Sequence, residues 1–335
     1  MELELDDEYD PHDEFDDERD GDVVYGHDGC VLRPTAVLVG EPSEVIGQIY
    51  SADSTFDRVK PPKSFVLRIL RGLLLGTVIG GWFLLFPILQ PGPLDFFWYL
   101  ITFICITAGV REVWRKTRYE AETTYLGELG IERLRVQGRP DATPSREAFL
   151  FDDIAELRIS LVRWLMHGNV HVATKFEYNW TDFQQQTVYK IEGMVGAKEF
   201  PIEQGHAWHL AQFAEKAWTD FVYGRLQEEY RRIRCMTFVI NKWKSILVGD
   251  GFLEYRTSGS TERFQVKDLE TATLVDGWFT FSPRDSVRFG RSAKIKFRYS
   301  ELANAQAFIM ALDEFLGFDP NDFTETSSSA AISMF

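Results

Sequence analysis

Two pairs of histidines stand close enough to share a ligand. His167 and His171 are four residues apart, and His206 and His209 are three apart. Such spacings can offer two imidazole nitrogens to a metal, but a zinc site needs more ligands than either pair supplies, and no cysteine lies nearby. His167 falls in a Gly168-Asn169 turn, and the other pair opens a helix off its apolar stripe, so surface histidines are expected and no metal is assigned. The three cysteines (Cys30, Cys105, Cys235) are too scattered for a disulfide framework. Asp152-Asp153 could pair carboxyls, yet the equivalent place downstream reads Lys267-Asp268, and a turn or cap role suffices. The chain has no glycine loop followed by Lys and Ser/Thr, no Gly-x-Ser-x-Gly and no HExxH. No catalytic residue and no cofactor is therefore assigned, and the chain is expected not to be an enzyme.

The strongest charged pattern is cationic. Arg288, Arg291, Lys294, Lys296 and Arg298 cluster in a segment where Ile295, Phe297 and Tyr299 alternate with Lys294, Lys296 and Arg298. Alternation of period two puts one strand face in a core and leaves the other basic. Presented to an anionic leaflet, such a face could gain about 1 kcal/mol per basic side chain. The plainer reading is a solvated strand whose lysines guard an edge against mispairing. Net acidity, with aromatics better suited to cores than to base stacking, argues against nucleic acid.

The element that must position all of this runs from Gly72 to Val110. Leu73 to Leu89 and Phe96 to Val110 carry no charged residue, and each approaches the roughly 20 apolar residues that cross a bilayer. Gln90-Pro91-Gly92-Pro93 breaks the run as a turn. Residues 64–118 are thus expected to form a transmembrane helical hairpin. Lys60, Lys63, Arg68 and Arg71 precede it, Arg111, Arg115, Lys116 and Arg118 follow it, and the turn holds only Asp95. The positive-inside rule then places both termini in the cytoplasm of a two-span membrane protein. Gly72, Gly76 and Gly80 share one helix face, and Thr102, Cys105 and Gly109 form a small-residue face on the second span. These faces suit close packing within the hairpin or, alternatively, a homo-oligomer.

The formal charge of −15 is concentrated in residues 1–22, which hold thirteen acids against Arg19 alone. A run so charged cannot bury a core and is expected to be a disordered tail. Its acidic start also lacks the basic region of a secretory signal. Residues 23–60 read as short strands or a linker, too few for a core of their own.

After the hairpin the pattern shifts to strands and then a helix, twice. Residues 119–229 close with a helix from Ala207 to about Arg232, residues 230–318 with one from Leu302 to Leu316, and 319–335 form a flexible tail. The first unit is about seven charges negative and the second about four positive. Gly130-Ile131-Glu132 through Gly138 matches Gly251-Phe252-Leu253 through Gly259, and Phe149 to Ile154 matches Phe264 to Leu269. The units therefore read as a repeat.

This series, a glycine-bounded strand, a Phe-x-apolar-x-Asp-apolar opening, many short strands and one closing amphipathic helix, resembles a pleckstrin-homology-like (PH-like) domain. Following a two-helix hairpin, it is similar to bacterial membrane proteins that carry such domains, over about residues 64–318. The resemblance implies an α+β membrane protein: a transmembrane hairpin plus two tandem PH-like β-barrel or sandwich modules. It implies binding or scaffolding at the inner membrane surface, with a protein partner or anionic lipid headgroups as ligand. The lipid site of eukaryotic relatives has no matching basic cluster here. The competing expectation is a subunit of an oligomeric transport or channel assembly joined through Gly72, Gly76 and Gly80.

Overall fold

The computed structural model describes residues 23–318 except 57, 60–63, 90–91, 93–94, 118, 167–169, 200 and 285–293. The acidic tail, the C-terminal tail, most of the Gln90–Pro93 turn, Lys60, Lys63, Arg118 and His167 lie outside the described residues. The chain is α+β, with four helices and four antiparallel sheets among the described residues.

Two helices, α1 (Phe65–Leu89) and α2 (Asp95–Lys116), form the hairpin. Both are long and apolar enough to cross a membrane, judged by length and composition. Only 22% and 11% of the residues in their apolar stretches are buried, unlike the core helices of a soluble protein. What they cover is each other. A methyl group on Gly76 would stand 2.5 Å from Ile106 Cα, and one on Gly109 would stand 2.7 Å from Gly76 N, so only glycine admits this approach.

The hairpin is inserted into a sheet. Strands β1 (Ile49–Ser54), β2 (Glu120–Gly127), β3 (Gly130–Gln137) and β4 (Ser145–Leu150) are hydrogen-bonded in that order. β1 precedes α1 and β2 follows α2, yet Ser54 lies opposite Thr123 and Ala52 opposite Tyr125. Upstream residues dock on the same sheet. Tyr125 donates to Gly40 O at 2.7 Å, Ser43 N–H donates to Glu132 Oε2 at 2.7 Å, and Ala52 N–H donates to Tyr25 O at 2.8 Å. The segment 23–60, with no core of its own, thus completes the sheet of the first module upstream of its 119–229 range.

A second sheet, β5 (Glu156–Met166), β6 (Val170–Thr181) and β7 (Thr187–Gly196), and the helix α3 (Ala207–Ile233) complete this module. The next module repeats the plan. β8 (Cys235–Asn241), β9 (Lys244–Gly249), β10 (Phe252–Arg256) and β11 (Thr261–Gln265) form one sheet, hydrogen-bonded in chain order as in the first module. β12 (Leu269–Val275), β13 (Trp278–Pro283) and β14 (Ile295–Arg298) form the other, followed by α4 (Ala305–Leu316). Neither module closes into a barrel: the strands form four separate open sheets. The reason lies in the repeated motif itself. Phe151–Asp153 and Val266–Asp268 are 3-10 turns that end the ladder between β4 and β5 and between β11 and β12. This is also where Asp152 and Asp153 reside, in a turn.

Both modules share one hydrophobic core that includes Phe151, Trp180, Trp218, Phe279 and Phe308. Contacts along α3 order the first module by distance from the hairpin. At the hairpin side, Arg58, four residues past β1, donates to Gly205 O at 3.2 Å, and Phe176 packs 5.0 Å from Trp208. At the far side, Trp218 packs 5.6 Å from Phe151, which follows β4, while Trp180 meets Tyr189 and Tyr189 meets Phe149. α3 and β6 thus run in the same sense between the two ends, each from the hairpin side to the far side.

Candidate functional site

The two modules are joined through Asn304, a residue at φ 54° immediately before α4. Its Oδ1 accepts from Leu157 N–H and from Trp218 Nε1–H, both at 2.9 Å, and its own N–H donates to Leu157 O at 2.8 Å. One side chain therefore pins β5 and α3 to the start of α4. Asparagine tolerates the left-handed backbone this requires. That turn also explains why the helix expected from Leu302 begins at Ala305, after a 3-10 turn at Tyr299–Glu301.

Beside this joint lies a buried acid. Glu215 of α3 faces the phenol groups of Tyr178 on β6 and Tyr299 after β14, so three elements and both modules contribute. Burial pushes its carboxyl up to about 7, and the two phenols only partly offset this. Glu215 Oε1 and both phenol oxygens fall short of full hydrogen-bond geometry, so the charged form is poorly satisfied. Burial likewise raises both tyrosines. The helix stripe read from sequence passes over Glu215. Its position four residues after Ala211 on the buried face was the available signal. A cavity of about 650 Å³ adjoins the joint, lined by Trp218, Arg225, Glu229, Thr237 and Asn304 among others.

The cationic candidates divide. Arg288 and Arg291 lie outside the described residues. Lys294, Lys296 and Arg298 are exposed, with Ile295 and Phe297 buried between them. Trp278 of β13 was not anticipated in this surface. Lys296 Nζ stands 4.5 Å and Arg298 Cζ 4.9 Å from its ring centroid, so the indole holds two cations side by side. Arg298 also lies near the start of β5, since Arg158 bonds Glu301 O and Asn304 bonds Leu157.

The small-residue candidates meet within the hairpin. Gly72 faces Val110, Gly76 faces Ile106, and Gly80 faces Thr102 and Cys105, with Gly109 against Gly76. Thr102 Oγ1 donates across to Gly80 O at 3.2 Å. The histidines have local tasks. His206 Nδ1 accepts from Trp208 N–H at 3.1 Å and caps α3, His209 bonds Ile202 O, and His171 bonds Thr174. Among the described residues no three His, Cys, Asp or Glu side chains gather as metal ligands. Comparison with known proteins gives no matching family model and no similar curated protein.

Proposed function

We propose that the chain is a membrane-anchored scaffold whose two four-plus-three-stranded units with closing helices are PH-like modules held at the cytoplasmic face of the inner membrane. One observation carries this: an apolar hairpin, covered by little else, is spliced between two hydrogen-bonded strands. A hairpin on a loose linker would leave the modules free to wander. One set into a β-ladder fixes their distance and tilt relative to the bilayer. The three positions 117–119 are all that separate α2 from β2.

The ligand surface in this reading is the Trp278–Lys296–Arg298 face, with Lys294 beside it. Arg298 lies near the start of β5, the end of that strand away from the hairpin, which counts against a leaflet whose charge is felt over roughly 10 Å. An acidic segment of a protein partner fits that place better than a headgroup. The same glycines receive the hairpin's own second helix, which supports the scaffold reading over a glycine-striped transport assembly.

The test uses the full chain in nanodiscs of neutral or anionic lipid, with hydrogen exchange read at β13 and β14. An acidic Glu/Asp-rich peptide should protect these strands in both lipids, and Lys294→Glu/Lys296→Glu/Arg298→Glu should abolish the protection. Protection by anionic lipid alone would assign the face to headgroups. Indifference to the triple substitution would remove it as a ligand surface.

A further inference from the structure

The long β5–β6 hairpin carries an apolar surface that the fold does not use. Trp164 is 52% exposed, Leu165 57%, Met166 54% and Val170 64%. Val162 and Val172 extend the patch. The ladder with β7 ends at Ala173, opposite Gly196, with one further bond from Ala197 N–H to Val172 O, so the β5–β6 ribbon extends past its neighbour. A register shift between Trp164 and Leu165 interrupts the alternation of faces and leaves apolar side chains on both sides of the ribbon. Arg163 and Lys175 are exposed at its base. An apolar patch of this kind on a projecting element marks an interaction surface.

The direction of the hairpin says what meets it. Trp180 lies at the far end of the module, whereas Phe176 lies level with the start of α3 and with Arg58, on the side where α1 and α2 leave. Continuing from Phe176 to Val170 carries the strand about 20 Å further in that same direction, at roughly 3.3 Å per residue. From the other side, the last uncharged residue of α2 is Val110, and β2 begins at Glu120. Six helical residues, about 9 Å at 1.5 Å each, and the three positions 117–119 separate the two. The tip thus extends on the side of the module where the apolar span leaves, over a comparable reach.

We infer that the tip of the β5–β6 hairpin is a second membrane element, with Trp164, Leu165, Met166 and Val170 seated in the lipid interface and Arg163 and Lys175 at the headgroups. Tryptophan is the residue that favours that depth, and basic side chains at the base suit an anionic leaflet. This rests on the reading of α1 and α2 as membrane spans. The tip would then be the second point that stops the module rotating about its anchor.

The experiment places one fluorophore at a time in the full chain, reconstituted in phosphatidylcholine–phosphatidylglycerol vesicles, with Cys30, Cys105 and Cys235 replaced. Leu165→Cys probes the tip, Gln184→Cys the opposite turn of β6, and Leu85→Cys the first span. All three sites are exposed, so a label is accommodated. Lipid-borne nitroxide should quench the label at 85 and at 165 severalfold more than at 184. Quenching at 85 with none at 165 overturns the inference alone. Quenching at neither overturns the membrane reading with it.

Discussion

The two modules share a plan and differ where it is interrupted. Between its first two strands the second module has only Lys242-Trp243, while the first has the whole α1–α2 hairpin. The first two strands of the second sheet are 11 and 12 residues long in the first module but 7 and 6 in the second. Charge follows the same division, acidic in the first and basic in the second. Loops of a rigid frame accept insertions at little cost to the core, so one copy can specialise as an anchor and the other as a ligand surface.

The comparison is broken most severely by making the first module like the second. Replacing residues 65–116 with a short Gly/Ser linker should release the chain from membranes, with its β-sheet circular dichroism retained. Ser64 and Thr117 are close enough to be joined, since Arg68 bonds both their carbonyls. Aggregation of that protein with loss of sheet signal would mean the hairpin is part of the fold and not an insertion. This soluble form also permits the stability measurements that follow.

Cutting the joint comes next. Asn304→Gly keeps the left-handed backbone but removes the acceptor for two donors, Leu157 N–H and Trp218 Nε1–H. The loss should be about 4 kcal/mol in denaturant unfolding, from roughly 1–3 kcal/mol per buried donor left unpaired. A loss confined to a few tenths would show that the modules do not depend on this residue.

Glu215 gives the joint a pH dependence of definite sign. Its folded value, about 7, lies above the ordinary 4.5, so the native state holds the proton more tightly. That contribution is full below the unfolded value and is lost as pH rises through about 7. It is worth about 3 kcal/mol, and Glu215→Gln should abolish the slope. Parallel stability–pH curves for both proteins would show that Glu215 does not titrate in this window.

The smallest effect belongs to the cationic face. Lys296→Glu/Arg298→Glu should change stability by no more than about 1 kcal/mol, the size of exposed cation–π contacts, while removing binding of the acidic peptide. Unfolding of the second module by this pair would make the face structural.

Local patterns made much of this legible. The uncharged runs showed the hairpin, alternation showed Ile295 and Phe297 buried against Lys296 and Arg298, and steps of three and four showed the closing helices. What escaped depends on pairing across distance. β1 finds β2 over the 65 residues between Ser54 and Glu120, and no local period reports such a partner. Asn304 and Tyr299 read as ordinary positions around a helix start until β5 is brought against them. Trp278 looked like core because its two cations come from the neighbouring strand.

The central claim is that the sheet of the first module is continuous across a membrane-embedded hairpin. The most direct measurement is oxidative crosslinking of Ser54→Cys/Thr123→Cys in membranes washed with alkaline carbonate. The native hydroxyls at these positions are 3.1 Å apart, so the cysteines are placed to bond. The account expects a crosslinked chain that stays with the membrane pellet. A chain that pellets without crosslinking would contradict the continuous sheet, and one released to the supernatant would contradict the anchor.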